Sequence, residues 1–306
     1  MTPKFTIVGV GEALFDILPE GQTLGGAPLN VAIHAQQLSQ PAGGRGVIVS
    51  RIGQDDLAQQ MVDRLRELDM TDAYLQRDPD RPTGAVYVDI GLDGRPTYEI
   101  VPNAAWDWLQ FDPDLEGLAS RCQAVCFGTL AQRGSETRMA VNRFINAARR
   151  ALKMFDVNLR GEEYDQRLLR SGCEISNILK LNVDELAIVA RHLGVGYQPG
   201  NEDEAIAGIM RRWEFQVVAL TRGAEGTVLY HGGNRYEGET AQYEPAEGAD
   251  PVGAGDACSA ALLVGMVRRW PMQRTVDLAN HVGAYVAAQH GATPRLPEPI
   301  LDMVKA

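Results

Sequence analysis

The sequence predicts an α/β fold, a mainly parallel sheet flanked by helices, with a small β-sheet lid beside it. Two observations predict the sheet and one predicts the lid. Short apolar runs recur along the 306 residues, and stretches with helical periodicity separate them. The segment Gly84 to Ile90 instead alternates with period two. It is followed by Asp93-Gly94, a favoured tight-hairpin dipeptide, and by a second run from Pro96 to Val101 with no crossover helix between them.

Phe5–Val10, Gly46–Ser50, Ala124–Phe127, Ala151–Phe155 and Gln216–Leu220 read as strands buried on both faces. Leu57–Leu68, Glu136–Arg150, Val183–Leu193 and Ala257–Arg269 read as helices. The segment from Glu12 to Leu24 is expected to join the hairpin in the lid. Pro199–Glu204 reads as a polar surface loop.

Composition sets limits on function. Hydrophobic residues make up 45% and charged residues 23%, ordinary for a soluble globular protein. Lys and Arg total 29 against 40 Asp and Glu, a net charge of -11, which speaks against nucleic acid as a partner. It does not speak against a phosphate ligand, because backbone N–H groups and a metal can hold one. No run of eighteen apolar residues suits a membrane span, and Met1–Val10 lacks the layout of a signal peptide. Cys122, Cys126, Cys173 and Cys258 form no C-x-x-C pair, so reduced thiols in a cytoplasmic protein are expected.

Five short runs carry chemistry. In Asp250-Pro251-Val252-Gly253-Ala254-Gly255-Asp256, glycines precede an apolar helix and leave its first N–H groups free for an anion. Asp256 would repel a phosphate there, unless its work is to take a proton from an attacking hydroxyl. An isolated Asp in a first helical turn is otherwise explained by the helix dipole alone. In Gly25-Gly26-Ala27-Pro28-Leu29-Asn30, Pro28 suits a helix start and Asn30 can offer its amide to a polyol. Asn182-Val183-Asp184-Glu185 has the form of a capping box and equally suits hydrated Mg2+ and phosphates. Thr221-Arg222-Gly223-Ala224-Glu225-Gly226 follows a buried strand, where a nucleotide could approach the backbone. In Asp156-Val157-Asn158-Leu159-Arg160, alternation would put three polar side chains on one side.

Together these runs resemble the PfkB/ribokinase family of carbohydrate kinases, in the family's order and over essentially the whole chain. The resemblance implies one kinase domain, residues 1–306, with a ribokinase-like doubly wound sheet and a lid from about 12–24 and 83–102. It implies that Asp256 is the general base and that Gly253, Ala254 and Gly255 supply the anion hole. Asp16, Gly25, Gly26 and Asn30 would hold sugar hydroxyls, with Arg160 on the sugar or phosphate side. Asn182, Thr221, Gly223 and Gly226 would serve ATP, Asn280 would border the adenine, and Glu185 with Asn182 would meet Mg2+ through water. Gly11–Asp16 and Asn103–Asp107 are most similar to bacterial fructokinases, which places Trp106 at the sugar and makes fructose the first substrate choice. 2-Keto-3-deoxygluconate kinases share much of the pattern. Pro251 and Cys258 stand where the family often has Thr and Phe. Many members hold a monovalent cation, K+, beside the hole, with Asp250 among the groups around it. Arg295 stands here where a Ser often contributes, so a cation would meet a guanidinium or rely on carbonyls. The family includes monomers and homodimers paired through the lid.

Other classes fit less well. After Gly9-Val10-Gly11 a leucine, Leu14, replaces the third glycine of a dinucleotide fingerprint, and Asp16 and Pro19 do not continue a helix. No Walker-type run is present. A non-catalytic sugar or nucleotide sensor has no use for a base beside a phosphate, which sets Asp256 against it.

Overall fold

A computed structural model describes residues 3–19, 21–90 and 96–305. The Asp93-Gly94 turn lies outside the described residues. Along the chain run β1 (Thr6–Val10), β2 (Leu14–Leu18), β3 (Gly21–Gly25), α1 (Ala27–Ser39), β4 (Arg45–Ile52), α2 (Asp56–Glu67) and β5 (Leu75–Arg77). Next come β6 (Gly84–Ile90), β7 (Pro96–Ile100), α3 (Pro113–Arg121), β8 (Ala124–Phe127), α4 (Ser135–Ala147), β9 (Leu152–Asp156) and α5 (Gln166–Glu174). The second half holds β10 (Ile178–Asn182), α6 (Val183–Leu193), α7 (Glu202–Trp213), β11 (Val217–Thr221), β12 (Thr227–His231) and β13 (Asn234–Glu237). Then α8 (Ala254–Val267), α9 (Met272–Ala287) and α10 (Glu298–Lys305) close the chain.

Nine strands form one sheet in the order β13-β12-β11-β10-β9-β8-β1-β4-β5. Pairing is parallel from β5 through to β11 and antiparallel only at β12 and β13. Helices cover both faces, which is why the central strands are apolar throughout. Val8, Val10, Phe127 and Phe155 pack beneath α3 to α7, whereas Ile7, Cys126 and Met154 pack against α1, α8, α9 and α10. Successive residues of one strand thus enter different cores, the period-two rule of a doubly covered sheet.

The lid is a separate sheet in the order β3-β2-β6-β7. β2 pairs antiparallel with β3 and parallel with β6, so the 12–24 segment does join the 84–100 hairpin. Two hinge segments tie lid to main sheet: Gly11–Ala13 between β1 and β2, and Gly26 between β3 and α1. Gly26 has φ 103, and a Cβ there would lie 2.6 Å from the Glu12 carbonyl oxygen, so the two hinges touch.

One expectation is corrected. Pro199–Glu204 is not all loop, because α7 begins at Glu202. Glu202, Asp203 and Glu204 fill its first turn, where acidic side chains meet the positive end of the helix dipole. Among the described residues no helix is long and apolar enough to cross a membrane. All four cysteines are free and buried, and burial pushes the Cys122 and Cys173 thiols up to about 12.

Candidate active site

The site forms where the carboxyl ends of the central strands meet the start of α8. Gly253 caps α8 in the left-handed region at φ 79. A Cβ there would stand 2.4 Å from the Ala292 carbonyl oxygen, so both conformation and space demand glycine. No side chain caps the helix, which leaves its N-terminus available to an anion. The three expected amides are not equivalent. Ala254 N–H donates to the Pro251 carbonyl at 3.2 Å, whereas Gly253 and Gly255 make no backbone hydrogen bond through N–H among the described residues.

Asp256 lies in the first turn of α8. Asn30 Nδ2, from the first turn of α1, donates to its Oδ2 at 2.8 Å across 226 residues of sequence. Asn30 is 3% exposed and its Oδ1 has no partner among the described residues, an acceptor still waiting for a donor. Asp256 keeps some exposed area, yet atoms crowd its carboxyl closely. That burial raises its pKa to about 6, with Asp156 adding to the rise and Asn30, Lys180 and Arg160 opposing it.

Beneath α8 sits a buried polar triad that the sequence does not announce. Lys180 Nζ in β10 lies 3.0 and 2.9 Å from the two oxygens of Asp156 at the end of β9. Ser259 of α8 donates its hydroxyl to Asp156 Oδ2 at 2.8 Å. Burial alone would lower the Lys180 pKa, but Asp156 holds it well above the usual lysine range. The lysine is charged and holds Asp156, and the Ser259 bond to Asp156 ties the second turn of α8 to the sheet. Its signal was a lone cation in the apolar run Ile178-Leu179-Lys180-Leu181. The expected trio Asp156, Asn158 and Arg160 does not share one side. β9 ends at Asp156, Asn158 turns to φ 41, and Arg160 is exposed. Arg160 still lies near enough to lower the pKa values of Glu12, Asp16 and Asp256.

On the lid side Asp16 faces Gly25, where a Cβ would fall 2.6 Å from Asp16 Oδ2. Burial raises the Asp16 pKa, with Arg160 opposing and Asp250 adding. Glu12 is a second residue missed from sequence. It is 2% exposed, and its Oε2 has no partner among the described residues. Burial raises its pKa to about 7, opposed by its own backbone N–H, with Asp256 adding to the rise. Trp106, expected at the sugar, is corrected. It is 1% exposed, Arg133 lies 4.2 Å from its ring centroid, and Gly84 abuts its edge. Its place is in the wall under the lid, not at a surface a sugar could reach.

On the other side, Asn182, Thr221, Arg222 and Gly223 line a cleft of about 560 Å3 with Tyr230 and Arg235. The capping box is real: Asn182 Oδ1 accepts from Glu185 N–H, and Glu185 Oε2 accepts from Asn182 N–H. Glu185 Oε1 accepts from Leu159 N–H, so both oxygens are engaged and each retains a lone pair. That suits Mg2+ bound through water. Among the described residues no group of three His, Cys, Asp or Glu gathers as a direct metal cage. Asn280, expected to border the adenine, is buried. Its Oδ1 accepts from Thr227 N–H and its Nδ2 donates to the Glu239 carbonyl. Gly226 and Gly238 pack against this amide, where a Cβ on either would fall 2.6 and 2.5 Å from Nδ2. Asp250 accepts from Val252 N–H and from Gly291 N–H, at 2.9 and 3.3 Å, and so joins the two loops beside the hole. It would give a monovalent cation one anionic ligand. Arg295 is exposed, and its carbonyl accepts from Tyr285.

Comparison with known proteins decides the family. The sequence profile of the pfkB family carbohydrate kinases matches residues 20–299. The chain belongs to that family. This kinase is 26% identical over 306 residues to the fructokinase of Salmonella typhimurium, covering 94% of this chain and 95% of that one. It is 27% identical over 308 residues to the Escherichia coli fructokinase, with 94% and 95% covered. Among solved structures, Xylella fastidiosa fructokinase with bound ATP superposes with a TM-score of 0.83 at 21% identity, covering 98% of each chain. Aminoimidazole riboside kinase from Salmonella enterica reaches 0.79 at 21% identity, covering 98% of this kinase and all of that chain. At such identities the superpositions show the fold, and the family match makes the protein a sugar kinase.

Proposed function

We propose that this kinase transfers the γ-phosphoryl group of ATP to a hydroxyl of a small sugar, fructose being the first choice. The hydrogen bond from Asn30 to Asp256 carries the reading. It fixes one carboxylate oxygen and leaves Asp256 without another side-chain partner among the described residues, free to accept a hydroxyl proton. A base with a pKa near 6 is ionised at neutral pH and still basic enough to take that proton as the bond to phosphorus forms.

The sugar would lie under the lid against Asp16, Gly25, Gly26 and Asn30, with the unpartnered Asn30 Oδ1 accepting from a hydroxyl. Arg160 supplies positive charge on the same side. The phosphoryl group would pass over the start of α8, where Gly253 and Gly255 offer clear N–H groups and the dipole favours negative charge. Ala254 N–H would join them on release from Pro251. ATP would follow the Asn182, Thr221 and Gly223 cleft, and Gly226, which follows the cleft residue Glu225 at φ 81, would give close backbone approach. Mg2+, when bound with the nucleotide, would neutralise charge on its phosphates, and Glu185 would orient water on the ion. Fructose rests on the full-length relatives named fructokinase.

The test is a sugar panel with MgATP, read as ADP release, that includes fructose, 2-keto-3-deoxygluconate and a ribonucleoside. Fructose turned over with the highest kcat/KM is the expected result. A better acceptor elsewhere in the panel would replace fructose and keep the kinase. Binding of several sugars with turnover of none would refute phosphoryl transfer and favour a sensor.

A further inference from the structure

Helix α1 does more than carry Asn30. Three of its polar side chains, Asn30, His34 and Gln37, fall at i, i+4 and i+7 and so share one face. Each reaches a different distant segment. Asn30 holds Asp256. His34 Nε2 lies 2.9 Å from the Ala292 carbonyl oxygen, 258 residues away and fully buried. Gln37 donates to the Pro294 carbonyl at 3.1 Å and accepts from Leu296 N–H at 2.8 Å. The face thus ties the base and the 292–296 segment to one rigid element.

Ala292 matters because Gly253 packs directly on it, with room for no side chain between them. From the other side, Gly291 N–H is held by Asp250. A carbonyl acceptor requires the proton on Nε2, which leaves His34 Nδ1 as a bare acceptor. Nδ1 is buried with no partner among the described residues. An apolar side chain in this 0% exposed position would avoid the orphaned Nδ1 but would strip the Ala292 carbonyl of its donor, so the histidine is accounted for by that bond and not by packing alone. Burial keeps the ring neutral, pushing its pKa down to about 4 against the pull of the Ala292 carbonyl.

We infer that His34 is a positioning residue for phosphoryl transfer: its Nε2–H fixes the Ala292 carbonyl against which Gly253 packs, and so sets the mouth of the anion hole. This rests on the reading of Gly253 and Gly255 as that hole. Loss of the donor lets the 291–293 turn shift and moves Gly253 with it. Misplacement of that kind lowers kcat and leaves ground-state binding of sugar and ATP largely unchanged.

The test compares His34→Gln with His34→Met, two side chains of nearly equal shape of which only Gln carries an N–H. The parent is assayed first, and a parent that phosphorylates no sugar refutes the function proposed above. With an active parent, kcat of the Met variant is expected about tenfold or more below that of the Gln variant, with each KM within about threefold. Met and Gln variants that turn over within about twofold of each other overturn the inference alone. Should the Met variant not fold, the question is read in the parent carrying 15N-labelled histidine. The His34 Nε2–H signal must shift when ADP and aluminium fluoride occupy the site with sugar, and an unmoved signal overturns the inference.

Discussion

Acidification should silence this kinase well above the pH at which an ordinary aspartate would lose its charge. Asp256 titrates at about 6 because burial disfavours its charged form and Asp156 stands nearby. An aspartate at the ordinary value of 3.8 loses less than about a tenth of its charge between pH 7 and pH 5. With a pKa of about 6 the ionised fraction falls from roughly nine-tenths to one-tenth, so kcat/KM for the sugar should drop about tenfold. The assay is initial-rate ADP release at subsaturating sugar, with nucleotide saturating so that the titration of ATP does not set the slope. Circular dichroism at each pH confirms that the fold persists. A profile flat from about pH 5 to 7 would refute the raised pKa, and with it the reading of Asp256 as a base matched to neutral pH. Glu12→Gln tests the cause. Burial raises the Asp256 pKa more than any neighbouring charge does, so the acid limb should stay within about half a pH unit of the parent's.

The same shift bears on stability. Asp256 is an acid whose folded pKa lies above its unfolded one, so the unfolded state holds fewer protons between those values. Stability therefore falls as pH rises from about 4 to about 6, and the full cost stands above that window. Asp256→Asn should gain about 1–3 kcal/mol in urea unfolding at pH 8, a gain that vanishes below about pH 4. Lys180→Met strands the Asp156 carboxylate in the interior and should cost about 3–5 kcal/mol in the same assay, with Asp156→Asn in the double variant restoring part of it. Gly226 has φ 81 and ψ -157, a region open to glycine, and a Cβ there would meet Asn280 Nδ2 at 2.6 Å; Gly226→Ala should raise KM for ATP about tenfold and leave KM for sugar nearly unchanged. Glu185→Gln keeps a capping-box residue but loses the charge, so half-maximal rate should need several-fold more Mg2+ while stability moves by less than about 1 kcal/mol.

Local chemistry was the legible part of this chain. The alternation of apolar runs with helical stretches announced the sheet, and period two from Gly84 announced the lid. Asn182 and Glu185 lie three residues apart, so their mutual bonds were readable as spacing. The Lys180, Asp156 and Ser259 triad was not, because its members come from β10, β9 and α8 and meet only once the sheet is assembled. The bond from His34 to Ala292 spans 258 residues and leaves no local pattern. The inward turn of Trp106 is equally hidden from the sequence. Chain position does not show which way a side chain turns, and Trp106 is 1% exposed.

The most direct test of a general base at position 256 is a rapid-quench single turnover with Asp256→Asn, alongside equilibrium binding of ATP. Asn keeps the shape and can still accept from Asn30, while it cannot take the hydroxyl proton. Phosphoryl transfer should slow by about 100-fold or more while ATP binds within a fewfold of the parent. Transfer at the parental rate would contradict the assignment.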